Sequence, residues 1–167
     1  MAKTQKKLAL SAGHQVVASN RVARRDYEIL ESLECGIELR GSEVKSLRES
    51  QVQLADAYAR VSGDELWLEG VHIAPYQFAN GVGAHDPDRR RKLLLHRDEI
   101  DRLSARVNQE RLALIPLRLY FREGRAKVEL GLAKGRQKGD KRQAIAERDS
   151  KREMERAIGR ARKGLDR

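Results

Sequence analysis

The 167-residue chain reads as a mainly β protein, an OB-like antiparallel barrel with two or three short helices and a basic C-terminal tail. Three observations predict this. Apolar and polar residues alternate at period two through most of the first 133 positions. The clearest helical pattern falls between the third and fourth main strands. Residues 134–167 carry thirteen Lys or Arg against six Asp or Glu, which is +7 of the formal +10, with no aromatic and no proline. The expected organisation is a flexible N-terminus over 1–15, a barrel over 16–133 and a basic tail over 134–167.

The elements follow in order. Between Tyr27 and Leu39 the odd positions Tyr27, Ile29, Leu33, Cys35, Ile37 and Leu39 are apolar and only Glu31 is out of step, which predicts a long bent or bulged strand. Gly41 and Ser42 end it, and Ser42 is placed to N-cap a short helix, 43–48, that turns Val44 and Leu47 inward and Lys45 and Arg48 outward. A hairpin follows: Ala57, Ala59 and Val61 alternate with polar residues, Ser62-Gly63-Asp64 has turn chemistry, and the return strand runs from Leu66 through Val71 to Ile73. Residues 76–91, rich in Gly, Asp and Arg, read as an exposed loop. After Leu93-Leu94-Leu95, the spacing of Ile100, Leu103 and Val107 predicts an amphipathic helix over about 97–108. Two strands close the body, with Ile115, Leu117, Leu119 and Phe121 on one face, a Glu123-Gly124 turn, and Ala126, Val128, Leu130 and Leu132 facing the same core. Pro116 cannot donate a ladder hydrogen bond, so its strand is expected at an edge or with its nitrogen outward.

Composition narrows the function classes. A body of about 130 residues can build one core, and all seven aromatics lie between Tyr27 and Phe121, which locates it there. The tail has too few large apolar groups to fold alone. A single cysteine, Cys35, can form no internal disulfide. The apolar stretch after the basic N-terminus is only Leu8-Ala9-Leu10, too short for a signal sequence or a membrane span. Enzymatic chemistry finds no support. His14, His72, His85 and His96 lack metal-ligand spacing. Asp86 and Asp88 lie beside Arg89-Arg90-Arg91 and read as turn or salt-bridge residues. Gly131, Gly135 and Gly139 lack the Lys-Ser or Lys-Thr of a phosphate-cradling loop. No metal and no cofactor are expected.

Basic groups recur at strand edges and loops: Asn20-Arg21 with Arg24-Arg25, then Lys45 and Arg48, Arg89-Arg90-Arg91-Lys92, Lys127 and Lys134. Each alone is ordinary solvated charge. On a barrel they can converge, and with the tail they point to phosphate contacts driven by counterion release. Irregular RNA suits such a surface better than B-form DNA, since no recognition helix is visible.

Several blocks, in this order, carry a resemblance: Asn20-Arg21 with Ala23 and Tyr27; Gly41-Ser42-Glu43-Val44-Lys45-Ser46-Leu47-Arg48; Asp56-Ala57-Tyr58; Ile73-Ala74-Pro75-Tyr76; Asp86-Pro87 with Arg89 and Arg91-Lys92-Leu93-Leu94-Leu95; Gly131-Leu132-Ala133-Lys134-Gly135; and Asp140-Lys141-Arg142. From Asn20 to about Arg152 the chain resembles the bacterial SsrA-binding protein family, SmpB. The resemblance implies an OB-like barrel that binds the tRNA-like domain of transfer-messenger RNA near its D-loop. Members accompany the alanyl form with EF-Tu to ribosomes stalled without a stop codon, in the cytoplasm, with no membrane partner. By residue match Asn20, Glu34 and Leu94 fall at RNA-contact positions, joined by Arg21, Arg25, Lys45, Arg48, Arg91, Lys92, Lys127 and Lys134. Leu94 could equally be a barrel-core leucine, and Glu34 a strand carboxylate paired with an arginine.

The resemblance also implies that the tail, unstructured alone, becomes helical in the empty mRNA channel beside the decoding centre and small-subunit rRNA. Gly135, Arg136, Lys138, Asp140, Lys141, Arg142, Arg148, Lys151 and Arg152 are its expected ribosome-binding residues. Met154, Ala157, Ile158, Ala161 and Leu165 follow helical spacing, and Glu147 with Lys151 forms a favourable i, i+4 pair. Three departures stand out: Gly135-Arg136-Gln137 where the family has Gly-Lys-Lys, Gly139 where it has an aromatic or His, and Arg25 where many members have His. A guanidinium can still stack on a base. The competing reading is a structural ribosomal or general OB-type RNA-binding protein, with a nuclease more distant.

Overall fold

The computed structural model describes residues 14–79 and 81–164, and the chain divides into two compact units, Met1–Gly135 and Arg136–Arg167. The segment 1–13, most of the expected flexible N-terminus, lies outside the described residues. The first unit contains β1 (His14–Ser19), α1 (Arg21–Asp26), β2 (Tyr27–Ile37), α2 (Gly41–Arg48), β3 (Val52–Gln53), β4 (Tyr58–Ser62), β5 (Glu65–Glu69), β6 (His72–Ile73), β7 (Arg91–Leu94), α3 (Arg97–Glu110), β8 (Ala113–Arg122) and β9 (Arg125–Gly135). The second is one helix, α4 (Lys138–Gly164).

The main sheet runs β1-β8-β4-β5-β7-β2-β9, and β9 also pairs with β8. Six strands, β8-β4-β5-β7-β2-β9, therefore close into an antiparallel ring, which removes the sheet edges. Strand β8 accommodates three neighbours because β4 meets it only at Ala59↔Leu114, while β1 runs beside Arg118–Arg122. The short β3–β6 pair forms a separate two-stranded sheet.

Several expectations hold in detail. β2 is a single eleven-residue strand whose register shifts between Ile29 and Glu31. Glu31, the residue out of step, accepts from Arg102 at 2.9 Å and Arg106 at 2.8 Å and so ties α3 to the barrel. α3 buries Ile100 and Leu103 and ends at Arg111, whose φ of 51° is left-handed. The Glu123-Gly124 turn has φ of 50° and 75°, the type I′ geometry that matches strand twist.

Others are corrected. Helix α2 starts two residues earlier than expected, at Gly41, with Arg40 as its N-cap. Glu43 accepts the Arg40 N–H at 2.6 Å, while Ser42 turns inward to His85, 2.9 Å away. The return strand of the first hairpin stops at Glu69, because Gly70 turns the chain with φ +72° where a Cβ would lie 2.6 Å from the Asp56 carbonyl oxygen. His72–Ile73 pairs with Val52–Gln53 instead. In β8 the register shifts between Pro116 and Arg118, so the alternation flips. Leu119 and Phe121 enter the main core. Ile115 and Leu117 face a second cluster with Ala23 and Ala133. Pro116 is thus at a bulge of a strand paired on both sides, at the gap between the β4 and β1 contacts, not on an edge.

The core is aliphatic. Leu47, Leu66, Leu68, Leu93, Leu103, Leu119, Leu130 and Leu132 are all but inaccessible, whereas Phe121 is the one aromatic in the main cluster. The aromatics mark the stretch that holds the core but fill little of it: Phe78 is 72% exposed, and half-buried Trp67 stacks under the Arg90 guanidinium at 4.6 Å. Cys35 is buried, and burial pushes its thiol up to about 12, so it stays a neutral packing residue.

Candidate nucleic-acid interface

Pleating sends alternate residues of β7, β2, β9 and β8 outward, and the register brings Leu94, Gly36 and Lys127 side by side, through the pairs Gly36↔Leu94 and Gly36↔Lys127. Leu93 takes the core position, 1% exposed, and leaves Leu94 half exposed, so the core-leucine alternative is overturned. A Cβ on Gly36 would lie 3.2 Å from the Leu94 Cβ, so this glycine lets the leucine lie flat on the sheet. Together with Ile37, Leu39 and Val44 they line an open groove of about 410 Å³.

Glu34 stands one outward position along β2. Its carboxylate accepts from the Tyr120 hydroxyl at 2.5 Å and the Arg122 guanidinium at 3.1 Å, with Lys127 Nζ 4.0 Å away. Burial pushes its pKa up, but the Tyr120 and Arg122 hydrogen bonds and the two cations outweigh this and hold it below the ordinary carboxylate range. Burial and the adjacent carboxylate together raise the Tyr120 phenol. The group is thus a fixed anion between two cations, Arg122 and Lys127, of which Lys127 lines the groove. Tyr120 and Arg122 were missed by sequence reasoning. The usable signal was the outward phase of β8, where Tyr120 faces Lys127.

Two expected contact residues turn inward. Arg91 is wholly buried: Nε donates to Glu43 at 2.8 Å, Nη1 to the carbonyls of Val71 and Arg89 at 2.8 Å each, and Nη2 to Pro87 at 2.9 Å. It cannot reach a phosphate, because its donors already satisfy loop carbonyls. Glu43, also wholly buried, accepts from Arg89 as well, at 2.9 and 2.5 Å. Burial raises its pKa, but the Arg89 and Arg40 hydrogen bonds and the Arg91 charge win and hold it low. This clamp carries much of the Glu43-to-Arg48 and Arg89-to-Lys92 blocks. Neither Asp86 nor Asp88 takes these arginines. Asp86 caps a turn to the Asp88 N–H at 3.0 Å, and Asp88 meets His72 at 2.7 Å.

Asn20 is 4% exposed and serves as N-cap of α1, accepting from the Ala23 N–H at 3.0 Å, while its amide donates to the carbonyls of Leu54 at 3.0 Å and Pro116 at 3.1 Å. Its hydrogen-bonding groups are engaged inside the fold, so it positions α1 rather than offering a free contact. That helix presents Arg21, Arg24 and Arg25 to solvent, with Arg25 bonded to Asp26 at 3.0 Å. Lys134 is exposed at the same end of the β2–β9 ladder, opposite Glu28. Lys45 and Arg48 are exposed on α2, and Lys92 pairs with Glu65.

In the second unit α4 exposes Arg142, Arg148, Lys151 and Arg152 together with Ile145, Met154 and Ile158. Gly135 ends β9, Arg136 precedes the helix, and Asp140 sits in its first turn, where a carboxylate complements the helix dipole. A Cβ at Gly139 would meet nothing within 4 Å. The side chains of Lys138 and Lys141, and Leu165, lie outside the described residues. Among the described residues no helix is long and apolar enough to cross a membrane, and no cluster of three His, Cys, Asp or Glu could hold a metal ion.

Comparison with known proteins agrees over nearly the full length. The family model for the SmpB protein matches residues 17–160. The SsrA-binding protein of Anaeromyxobacter sp. (strain K) is 56% identical over 155 residues, covering 93% of this chain and 94% of the relative. That of Mycobacterium leprae (strain TN) is 53% identical over 153 residues, covering 92% and 95%. The solved structure described as "tmRNA-SmpB: a journey to the center of the bacterial ribosome" contains a chain 48% identical to this one. It matches with a TM-score of 0.61 over 77% of this chain and 93% of that one. With a closed β barrel, a basic C-terminal helix and this likeness, the chain belongs to the SmpB family.

Proposed function

We propose that this protein is an RNA-binding adaptor for trans-translation, which binds the tRNA-like domain of transfer-messenger RNA and helps deliver it, with EF-Tu, to stalled ribosomes in the cytoplasm. The observation that carries this reading is the outward face on which Leu94 and Gly36 lie beside Lys127, with Glu34 fixed between Lys127 and Arg122. An apolar, glycine-flattened strip admits a nucleobase or ribose, and the flanking cations take phosphates. The relatives' shared name, SsrA-binding protein, supports the same RNA. Arg21, Arg25, Lys45, Arg48 and Lys134, exposed elsewhere on the first unit, add further phosphate contacts. Arg91 and Asn20 act beneath the surface, holding the loop and helix that carry those groups.

The tail supplies the ribosome-sensing part. α4 is a 27-residue helix with exposed cations and exposed apolar residues, Met154 and Ile158 one turn apart on one face and Ile145 on the other. Such a helix has little apolar surface to stabilise it by packing, and its cations gain from binding a polyanionic groove. In this reading it is disordered alone and folds in the empty mRNA channel against small-subunit rRNA near the decoding centre, through Arg136, Lys138, Asp140, Lys141, Arg142, Arg148, Lys151 and Arg152. Truncation after Gly135 tests the division of labour. The shortened chain is expected to bind transfer-messenger RNA nearly as well as the full chain and to lose tagging on stalled ribosomes. Loss of the binding itself would place the tail in the primary RNA site.

A further inference from the structure

On the other side of α2 from the Leu94 groove lies a larger cavity, about 760 Å³, between the helix start and the loop before β7. Its walls differ in kind from those of the Leu94 groove. Tyr76 and Phe78 meet edge to face with centroids 5.4 Å apart, and Lys45 Nζ lies 5.3 Å from the Tyr76 ring. Phe78 is 72% exposed and Val82 fully so, while Arg40 opens on the rim. No carboxylate lines the cavity, and among the described residues neither Arg40 nor Lys45 ion-pairs with one. Phe78 and Val82, both exposed and both lining this one cavity, make an apolar patch of the kind that marks a binding site.

The platform is built from beneath. His85 is buried and bonds both Ser42, at 2.9 Å, and the Ile73 carbonyl, at 3.1 Å. Ala74 N–H donates to Gln51 at 3.0 Å and Ile73 N–H to Pro87 at 3.0 Å. Both ends of the loop are thus tied to the barrel and to α2, so the rings sit on a fixed base.

We propose that this cavity seats one unstacked nucleotide of RNA, the base against the Phe78 ring and the phosphate held by Lys45 and Arg40. The charge complementarity selects an anion, and the exposed ring beside it selects a flat, weakly hydrated partner. A nucleotide in a loop offers both, and sequence-tolerant aromatic stacking is how proteins hold such bases. The inference rests on the RNA-binding reading above and adds a second contact site to it, on the opposite flank of α2 from Leu94.

The test is binding of the full-length chain and its F78A, F78W and K45A variants to the tRNA-like domain of transfer-messenger RNA, titrated across salt, with bulk tRNA as the comparison. F78A is expected to weaken binding roughly five- to a hundred-fold, the range of one lost base stack, with the salt slope unchanged. F78W should restore it, and K45A should lower the slope by about one. If the parent chain prefers this RNA and the F78A and K45A affinities stay within twofold of it, the seat is wrong and the wider reading stands. If F78A leaves the affinity for this RNA unchanged but weakens ribosome association, the seat does not hold a nucleotide of this RNA and the proposal is overturned. If the parent chain shows no preference over bulk tRNA, the wider reading fails, and the seat stands only if F78A still weakens the residual binding.

Discussion

Replacing Glu43 with glutamine probes the joint on which the candidate surface depends. The carboxylate is wholly buried and accepts from Arg89 Nε and Nη2, from Arg91 Nε and from the Arg40 N–H, at 2.9, 2.5, 2.8 and 2.6 Å. A glutamine keeps one acceptor oxygen and turns an NH₂ toward donors, while Arg91 remains fully buried and charged. Removing one partner of a buried ion pair costs about 3–5 kcal/mol. Arg91 keeps its carbonyl partners at Val71, Arg89 and Pro87, so the lower end, about 3 kcal/mol, is expected. Against a domain stability of about 5–15 kcal/mol this is a large fraction. With a urea m-value of about 1–3 kcal/mol/M, the unfolding midpoint should fall by roughly 1–3 M at pH 7.

Acid sharpens the test. The Glu43 pKa is depressed below its ordinary 4.5 in the folded protein, so its contribution is complete above that value and is lost as pH falls through the lower folded pKa. The gap between parent and E43Q should therefore narrow below about pH 4.5. A gap under about 1 kcal/mol at pH 7, or one constant down to pH 3, would refute the clamp.

Two further substitutions separate structure from contact. Asn20→Ala removes the N-cap of α1 and strands two buried carbonyls, and should cost about 2–3 kcal/mol in urea unfolding. If stability is unchanged while RNA binding is lost, Asn20 is a contact residue after all. Leu94→Ala, at a half-exposed site, should shift stability by no more than about 0.5 kcal/mol and yet weaken binding of transfer-messenger RNA several-fold in an anisotropy titration. Unchanged affinity would remove Leu94 from the interface.

Much of the barrel is visible in the sequence because it rests on local alternation. β2, α3 and the β8–β9 hairpin each contain enough apolar periodicity, with turn or cap residues at their ends, to be read directly. What escapes depends on partners far along the chain. β1 exists because it pairs with β8 about a hundred residues later. β7 is four residues whose ladder lies with β5 and β2. α1 is one short turn-and-a-half with a single buried residue, Ala23, and its signal was the Asn20 cap. The bulge at Pro116 inverts a clean alternation that looks uninterrupted in one dimension. Similarly, Arg91 resembles its surface neighbours in sequence, and only the carboxylate 48 positions earlier takes it inside.

The candidate site shows the same divide. Glu34, Leu94 and Lys127 were named from the sequence and meet on one face. Their support, Tyr120 and Arg122, became visible only through strand register. Phe78 and Tyr76, assigned to an exposed loop, form a ring platform because His85 ties that loop down from within.

The most direct test of the account is the affinity of the full-length chain for transfer-messenger RNA, bulk tRNA and rRNA fragments, each at two salt concentrations. All three affinities should fall with salt through the shared phosphate contacts, while a preference for transfer-messenger RNA persists at the higher salt through the shaped face around Leu94. Equal affinities for all three at both concentrations would contradict the account and leave a general basic RNA-binding barrel.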